Sequence, residues 1–152
     1  MTERIPALDP KVADDLQATL VDLIDLALQA KQAHWNVTGS NFRSVHLQLD
    51  EMMTEYRMWS DLVAEREVAI GASADGRAAS VAKSSVLAGF PDGTVDDRRV
   101  VELFVERLET VASAFRERME RLGDADPVSE DILIQILAGI EKQLWMVRTQ
   151  LG

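Results

Sequence analysis

The 152 residues of this chain include no cysteine. That excludes a disulfide framework, a thiolate zinc site and a thiol nucleophile, and it suits a reducing compartment. Aromatic residues are scarce at 5%, and histidine occurs only twice, so any imidazole chemistry is confined to two positions. No stretch approaches the roughly 20 consecutive apolar residues of a membrane span. The opening Met-Thr-Glu-Arg-Ile-Pro-Ala-Leu-Asp-Pro lacks the apolar core of a secretory leader. No membrane partner is therefore expected, and the expected location is the cytoplasm, with nucleoid association left open. Bases are outnumbered as well: 16 Lys and Arg against 26 Asp and Glu leave a net charge of −10. Such a balance disfavours nucleic acid and favours cations.

What is present reads as one helical domain over residues 1–152, with 47% hydrophobic residues, enough to bury a core. The first helix opens at Asp9-Pro10, an acidic cap followed by proline, and runs to about Asn36 with Val12, Leu16, Leu20, Leu23 and Ile24 at helical spacing. A second runs from about Asn41 to Ile70, with Ser40 or Asn41 as its cap. Residues 71–94 hold four glycines, six alanines, four serines and a Phe-Pro-Asp-Gly turn. This is a connecting segment, with a short helix expected near 78–86. A third helix is predicted after Thr94, capped by it with Asp97 three positions on, and ending at Gly123; the fourth opens at Asp126-Pro127 and continues to Gln150.

Linker lengths select the topology. Short links make the first and second helices, and the third and fourth, antiparallel neighbours. A helix of about 28 residues is about 42 Å long, and the middle connection can travel back along it. The expected architecture is an all-α, ferritin-like four-helix bundle with one long crossover carrying a short helix. Such bundles commonly hold two metal ions in the bundle core through Glu-x-x-His motifs, but no Glu-x-x-His occurs in this chain.

The two histidines, His34 and His46, lie close together in sequence, and Asp50, Asp61 and Glu65 follow on the second helix. Imidazoles and carboxylates together are a donor set that iron accepts. At about 100° per residue, with His46 at zero, Asp50 falls near 40°, Asp61 near 60° and Glu65 near 100°, so all four share one face. The apolar stripe of Val45, Leu49, Met52, Met53, Tyr56 and Val63 lies to the other side. Yet His46 and Asp61 are about 22 Å apart along a straight helix. One chain cannot close the site. Two copies of the second helix, antiparallel about a two-fold axis, can bring the histidine end of one to the carboxylate end of the other.

The pattern Lys31-x-x-His34-Trp35-Asn36-x-x-Gly39-x-x-Phe42-x-x-x-His46-x-x-x-Asp50, followed after ten residues by Asp61-x-x-x-Glu65-Arg66, resembles the signature of the Dps family, the mini-ferritins of starved bacterial cells. The likeness extends to Glu141-Lys142 and Leu144-Trp145 in the last helix. It implies a hollow homododecamer and a ferroxidase that oxidises Fe(II), preferably with hydrogen peroxide, and stores ferric mineral inside. It also implies a two-iron site shared between subunits at each two-fold interface. His34, His46, Asp61 and Glu65 are then expected iron ligands, which zinc would also accept. Asp50 is expected as a ligand or as the base that sets an imidazole tautomer, and Trp35 reads equally as an indole placed to intercept stray radicals or as a packing indole. Lys31 reads as a solvated lysine or as a hydrogen-bond donor to a ligand carboxylate, Trp145 as a packing indole and the methionines at helical spacing as core residues, while Leu47, Met58 and Leu62 are expected to need a partner surface.

Glu51 and Glu55 read equally as mineral-nucleating or as ordinary surface acids. Asp124, Asp126, Glu130 and Asp131 crowd the start of the fourth helix, where their charge complements the helix dipole; the resemblance implies that they line a three-fold iron pore. DNA binding is expected to be weak or absent, because residues 1–9 offer only Arg4 against Glu3 and Asp9. Two other readings stand beside the ferroxidase: a nucleoid protein that coats DNA in starved cells, with iron chemistry secondary, and a helical oligomer whose site is vestigial or holds zinc.

Overall fold

A computed structural model describes residues 8–152, so the expectation of a missing basic arm, which turns on Glu3 and Arg4, lies outside the described residues. Helix α1 spans Pro10–Asn36. Asp9 caps it by accepting the Lys11 N–H at 2.9 Å, and Pro10 occupies the first turn, where no amide hydrogen is needed. Helix α2 covers Phe42–Ala69 and follows Asn41, whose side chain makes no capping bond. A short helix α3, Ala78–Ser84, interrupts the crossover. Helices α4, Asp97–Ala125, and α5, Pro127–Thr149, form the second hairpin.

Two boundaries differ from expectation. Thr94 is not a cap: Val95–Asp96 forms a two-residue strand, β2, that pairs in parallel with β1, Val37–Thr38, and the helix begins only at Asp97. Gly123 does not stop α4, which continues to Ala125. A Cβ at Gly123 would meet only the end of the Glu130 side chain, with Oε1 at 2.9 Å.

The β1–β2 pairing puts the start of α4 beside the end of α1, so the crossover returns along the whole bundle. Polar groups of α1 hold it there. Gln17 brackets Asp75, donating to its carbonyl and accepting from its N–H. Asp22 accepts the Val86 N–H, Asp25 accepts from Ser85 Oγ, and Gln29 donates to the Ala88 carbonyl. Arg107 of α4 reaches the Ala88 and Gly89 carbonyls from the far side. A segment with little regular structure thus has its main-chain groups satisfied by fixed side chains.

The core unites Leu16, Leu23 and Leu26 of α1, Val45, Leu49 and Tyr56 of α2, Phe104, Leu108 and Phe115 of α4, and Leu133, Ile136 and Ile140 of α5. Inside it Tyr56 donates to Gln143 Oε1 at 2.7 Å. Met52 is buried there, whereas Met58, expected to need a partner surface, is exposed, as is Met146.

Glu67, 2% exposed near the end of α2, leaves its Oε2 without a hydrogen-bond partner among the described residues. Burial, reinforced by Asp14 and Asp75, pushes its carboxyl up to about 7. The folded-state value exceeds the unfolded one, so the fold is favoured most below the unfolded pKa and loses stability as the pH rises toward 7. Glu67→Gln is expected to gain about 1–3 kcal/mol at pH 8 and nothing near pH 4. Thermal melts at the two pH values test this, and an equal shift at both would contradict it.

Candidate metal centre

The last turn of α1 and the first turns of α2 bring the two histidines into contact. Their rings stack with centroids 3.7 Å apart and planes 12° from parallel. Each ring is tied to the main chain of the other residue: His34 Nδ1 lies 2.6 Å from the His46 carbonyl oxygen, and His46 Nδ1 lies 2.7 Å from that of His34. A carbonyl oxygen can only accept, so each Nδ1 carries its hydrogen, and in the neutral imidazole the lone pair is left on Nε2. This is the tautomer in which a metal-ligating histidine donates its other ring N–H to a carbonyl. Phe42, one turn before His46, stacks on that ring at 4.9 Å.

Asp50 does not set either tautomer. Its Oδ1 is 2.5 Å from Lys31 Nζ, and that hydrogen bond, with smaller pulls from His34 and His46, holds the carboxyl below the usual range. Lys31 is therefore a partner of Asp50 and not a free, solvated lysine. Trp35 is 68% exposed beside His34.

Asp61 and Glu65 stand one turn apart on α2, both exposed, with no side-chain hydrogen bond or ion pair to any described residue. They lie on the face that carries His46, but at the other end, Asp61 about 22 Å and Glu65 about 28 Å away at 1.5 Å per residue. Among the described residues no three His, Asp or Glu side chains come together as a metal-binding group. Beside this face Leu28, Leu47, Met58 and Leu62 are left uncovered, Met58 at 61% exposure. An apolar band of that kind next to unpaired carboxylates is what a partner surface covers.

The proposed pore cluster is only partly available. Asp126 is buried, receives Arg66 Nη2 at 2.8 Å and accepts from Ser129 Oγ. Burial alone would raise its carboxyl, but Arg66, Ser129 and the Val128 N–H outweigh that and hold it below the usual range. It is structural. Asp124 and Asp131 are exposed and Glu130 is half-buried, while Glu51 is exposed and Glu55 half-buried. Trp145, expected to pack, is 64% exposed.

Four participants were not singled out from the sequence. The main-chain carbonyls of His34 and His46 carry no residue signal. Phe42 stood in the motif, four residues before His46, a spacing that signals contact on a helix. Asp97, read only as an aid to the Thr94 cap, holds the turn between the histidines through the Asn41 N–H.

Comparisons with known proteins give a consistent picture. A ferritin-like domain model matches residues 13–152. DNA protection during starvation protein 2 of Deinococcus radiodurans is 37% identical over 138 residues, which cover 91% of this chain and 57% of that protein. This chain thus spans little more than half the length of that relative. The DNA protection during starvation protein of Mycolicibacterium smegmatis is 36% identical, covering 97% of this chain and 82% of its own. The tetragonal form of Mycobacterium smegmatis Dps superposes with a TM-score of 0.93 at 33% identity, over all of this chain and 94% of that one.

Proposed function

This chain belongs to the Dps family of ferritin-like proteins, and from that premise we propose that it oxidises ferrous iron at sites shared between two subunits. Residues 1–152 act as one domain, twelve copies enclose a cavity that stores the ferric product, and the cytoplasm is thereby protected from oxidative damage. One observation carries the reading. Two imidazoles with Nε2 free lie at one end of the α2 face, two unpaired carboxylates lie at the other, and uncovered apolar side chains flank it.

Two α2 helices packed antiparallel about a two-fold axis place His34 and His46 of one chain beside Asp61 and Glu65 of the partner. Two nitrogens and several carboxylate oxygens suit iron, and the negative ligands favour the ferric state, so the electrons leave more readily. Hydrogen peroxide accepts one electron from each of two ferrous ions. Its O–O bond breaks, and with two protons it becomes two waters, so no hydroxyl radical is released. Asp50, kept ionised by Lys31, adds negative charge beside the histidines. Trp35 is placed to reduce any radical that escapes. Zinc fits the same donors but has no redox chemistry, so it would inhibit.

The test is stopped-flow oxidation of Fe(II) by the purified protein. Peroxide should be consumed at one per two ferrous ions and faster than dioxygen, in a particle that light scattering finds far larger than a dimer. A monomer at micromolar concentration, or no acceleration over buffer, overturns the reading.

The alternative, a DNA-coating protein of starved cells, draws on the names of the relatives. A shell of twelve such chains would carry about −120, and phosphate attraction is the main source of nonspecific affinity. At about 0.1 M salt, where long-range attraction is screened, we expect no retardation of duplex DNA in a gel. Retardation without magnesium would favour the DNA-coating function.

A further inference from the structure

We propose that Asp97 is a positioning residue for the histidine half of the site, acting through the turn between α1 and α2. This rests on reading His34 and His46 as iron ligands. The five residues Val37 to Asn41 are all that separates the two helices, and they set how α1 and α2 meet at the point where the rings stack. That turn is attached to the other half of the bundle. Val37 pairs with Val95 and Thr38 with Asp96, and the Asp97 carboxylate follows directly. Asp97 Oδ2 accepts the Asn41 N–H at 2.6 Å, while Oδ1 accepts the Arg98 N–H at 2.7 Å.

Gly39 makes this approach possible. With φ at +122°, it lies flat against the carboxylate, and a Cβ there would stand 2.6–2.9 Å from Oδ2, Cγ and Oδ1 of Asp97. No side chain fits between them. Asp97 is itself buried, and its two oxygens are committed to main-chain donors, one from the adjacent Arg98 and one from Asn41, 56 residues before it. A buried carboxylate held in this way is a rigid clamp, since the Asn41 N–H would lose a charge-assisted bond if the turn moved, while the Arg98 N–H keeps the carboxylate fixed on α4. The ring-to-carbonyl bonds that leave Nε2 free depend on the relative position of residues 34 and 46. The clamp therefore reaches the ligands through the backbone, and Asp97 touches neither ring nor metal.

Two substitutions separate this role from helix capping. Asp97→Ser keeps an acceptor for the first turn of α4 but is too short to reach Asn41. Asp97→Asn keeps an oxygen for Asn41 and opposes an amide to the Arg98 N–H, so its effect should be intermediate. Because the chain has only two histidines, nitrogen-15 spectra of the metal-free assembled protein report each ring tautomer directly. Unaltered protein should show Nδ1–H at both. Asp97→Ser should show the second tautomer and bind Co(II), followed by its visible absorption, about 10- to 100-fold more weakly, the range for residues that orient a ligand. Particle mass and helix content should not change.

Unchanged tautomers, or changed tautomers with undiminished cobalt affinity, would overturn the proposal. If Asp97→Ser fails to assemble, Asp97→Asn decides by the same measurements. His34→Ala supplies the control: if it leaves cobalt binding intact in the parent protein, the iron-site reading fails, and the tautomers alone judge the clamp.

Discussion

Assemblies that mix His46→Ala chains with chains carrying both Asp61→Ala and Glu65→Ala should regain rapid ferrous oxidation that neither parent assembly supports. Each homo-oligomer loses one end of every site. Replacing residues that merely orient a ligand costs about 10- to 100-fold, so removing a ligand itself should cost at least about 100-fold. Folding should survive, because Asp61 and Glu65 are exposed and His46 flanks the core without entering it. A dimer of one chain of each kind contains one site with both ends intact and one with both ends damaged. Co-expression should thus exceed the sum of the two separate activities, read as initial rates with peroxide. Mixed dimers verified by mass spectrometry that stay inactive would mean that both ends come from one chain.

Arg118→Ala should be the most destabilising single change away from the site. Its guanidinium donates to Asp22 Oδ2 at 2.7 Å, and both side chains are buried. Burial pushes the Asp22 carboxyl up against the opposing effects of the Val86 N–H and Arg118. Removing the arginine strands that carboxylate, which costs about 3–5 kcal/mol for a buried pair broken on one side. Asp22→Asn combined with Arg118→Met should recover much of the loss, since no buried charge is then left alone and the amide oxygen still accepts from Val86. Melting curves at one fixed protein concentration are the measurement, because assembly contributes to apparent stability. A double variant no better than Arg118→Ala would place the cost in lost packing of the arginine instead.

The long helices were legible because their apolar positions recur at helical spacing and their ends carry Asp9-Pro10 and Asp126-Pro127. The crossover could be read from composition, and its short helix was expected within two residues of its end. The β1–β2 pairing could not be read, since two residues on each side form no recognisable strand pattern and meet only because α4 starts beside the end of α1. Thr94 failed as a cap for that reason. In the candidate site, the shared face of His46, Asp61 and Glu65 followed from helical spacing, and so did the separation along α2 on which the proposal of a second chain rests. The bonds that set the imidazole tautomers could not be seen, because their acceptors are main-chain oxygens that any residue would supply. Asp50 was given that task because a carboxylate one turn from an imidazole is the usual candidate. Lys31, three residues before His34, engaged it first. Asp126 left the pore cluster because Arg66, part of the recognised pattern, reaches across from α2.

The crossover is gripped mostly by its backbone, through Gln17, Asp22, Gln29 and Arg107, whose partners are amides and carbonyls. Apart from Ser85, the Asp75 carboxylate with its Arg77 and Ser80 partners, and the apolar Val81, Leu87 and Phe90, the identity of its side chains matters little to that grip. Among diverging descendants the segment should therefore look like unconstrained sequence while its path stays fixed, and the record of selection should be written instead on the helix face opposite. A saturation library would make this visible as tolerance at Ala74 and Ala79 and intolerance at Gln17 and Asp22. In this protein a variable loop is no sign of a loose one.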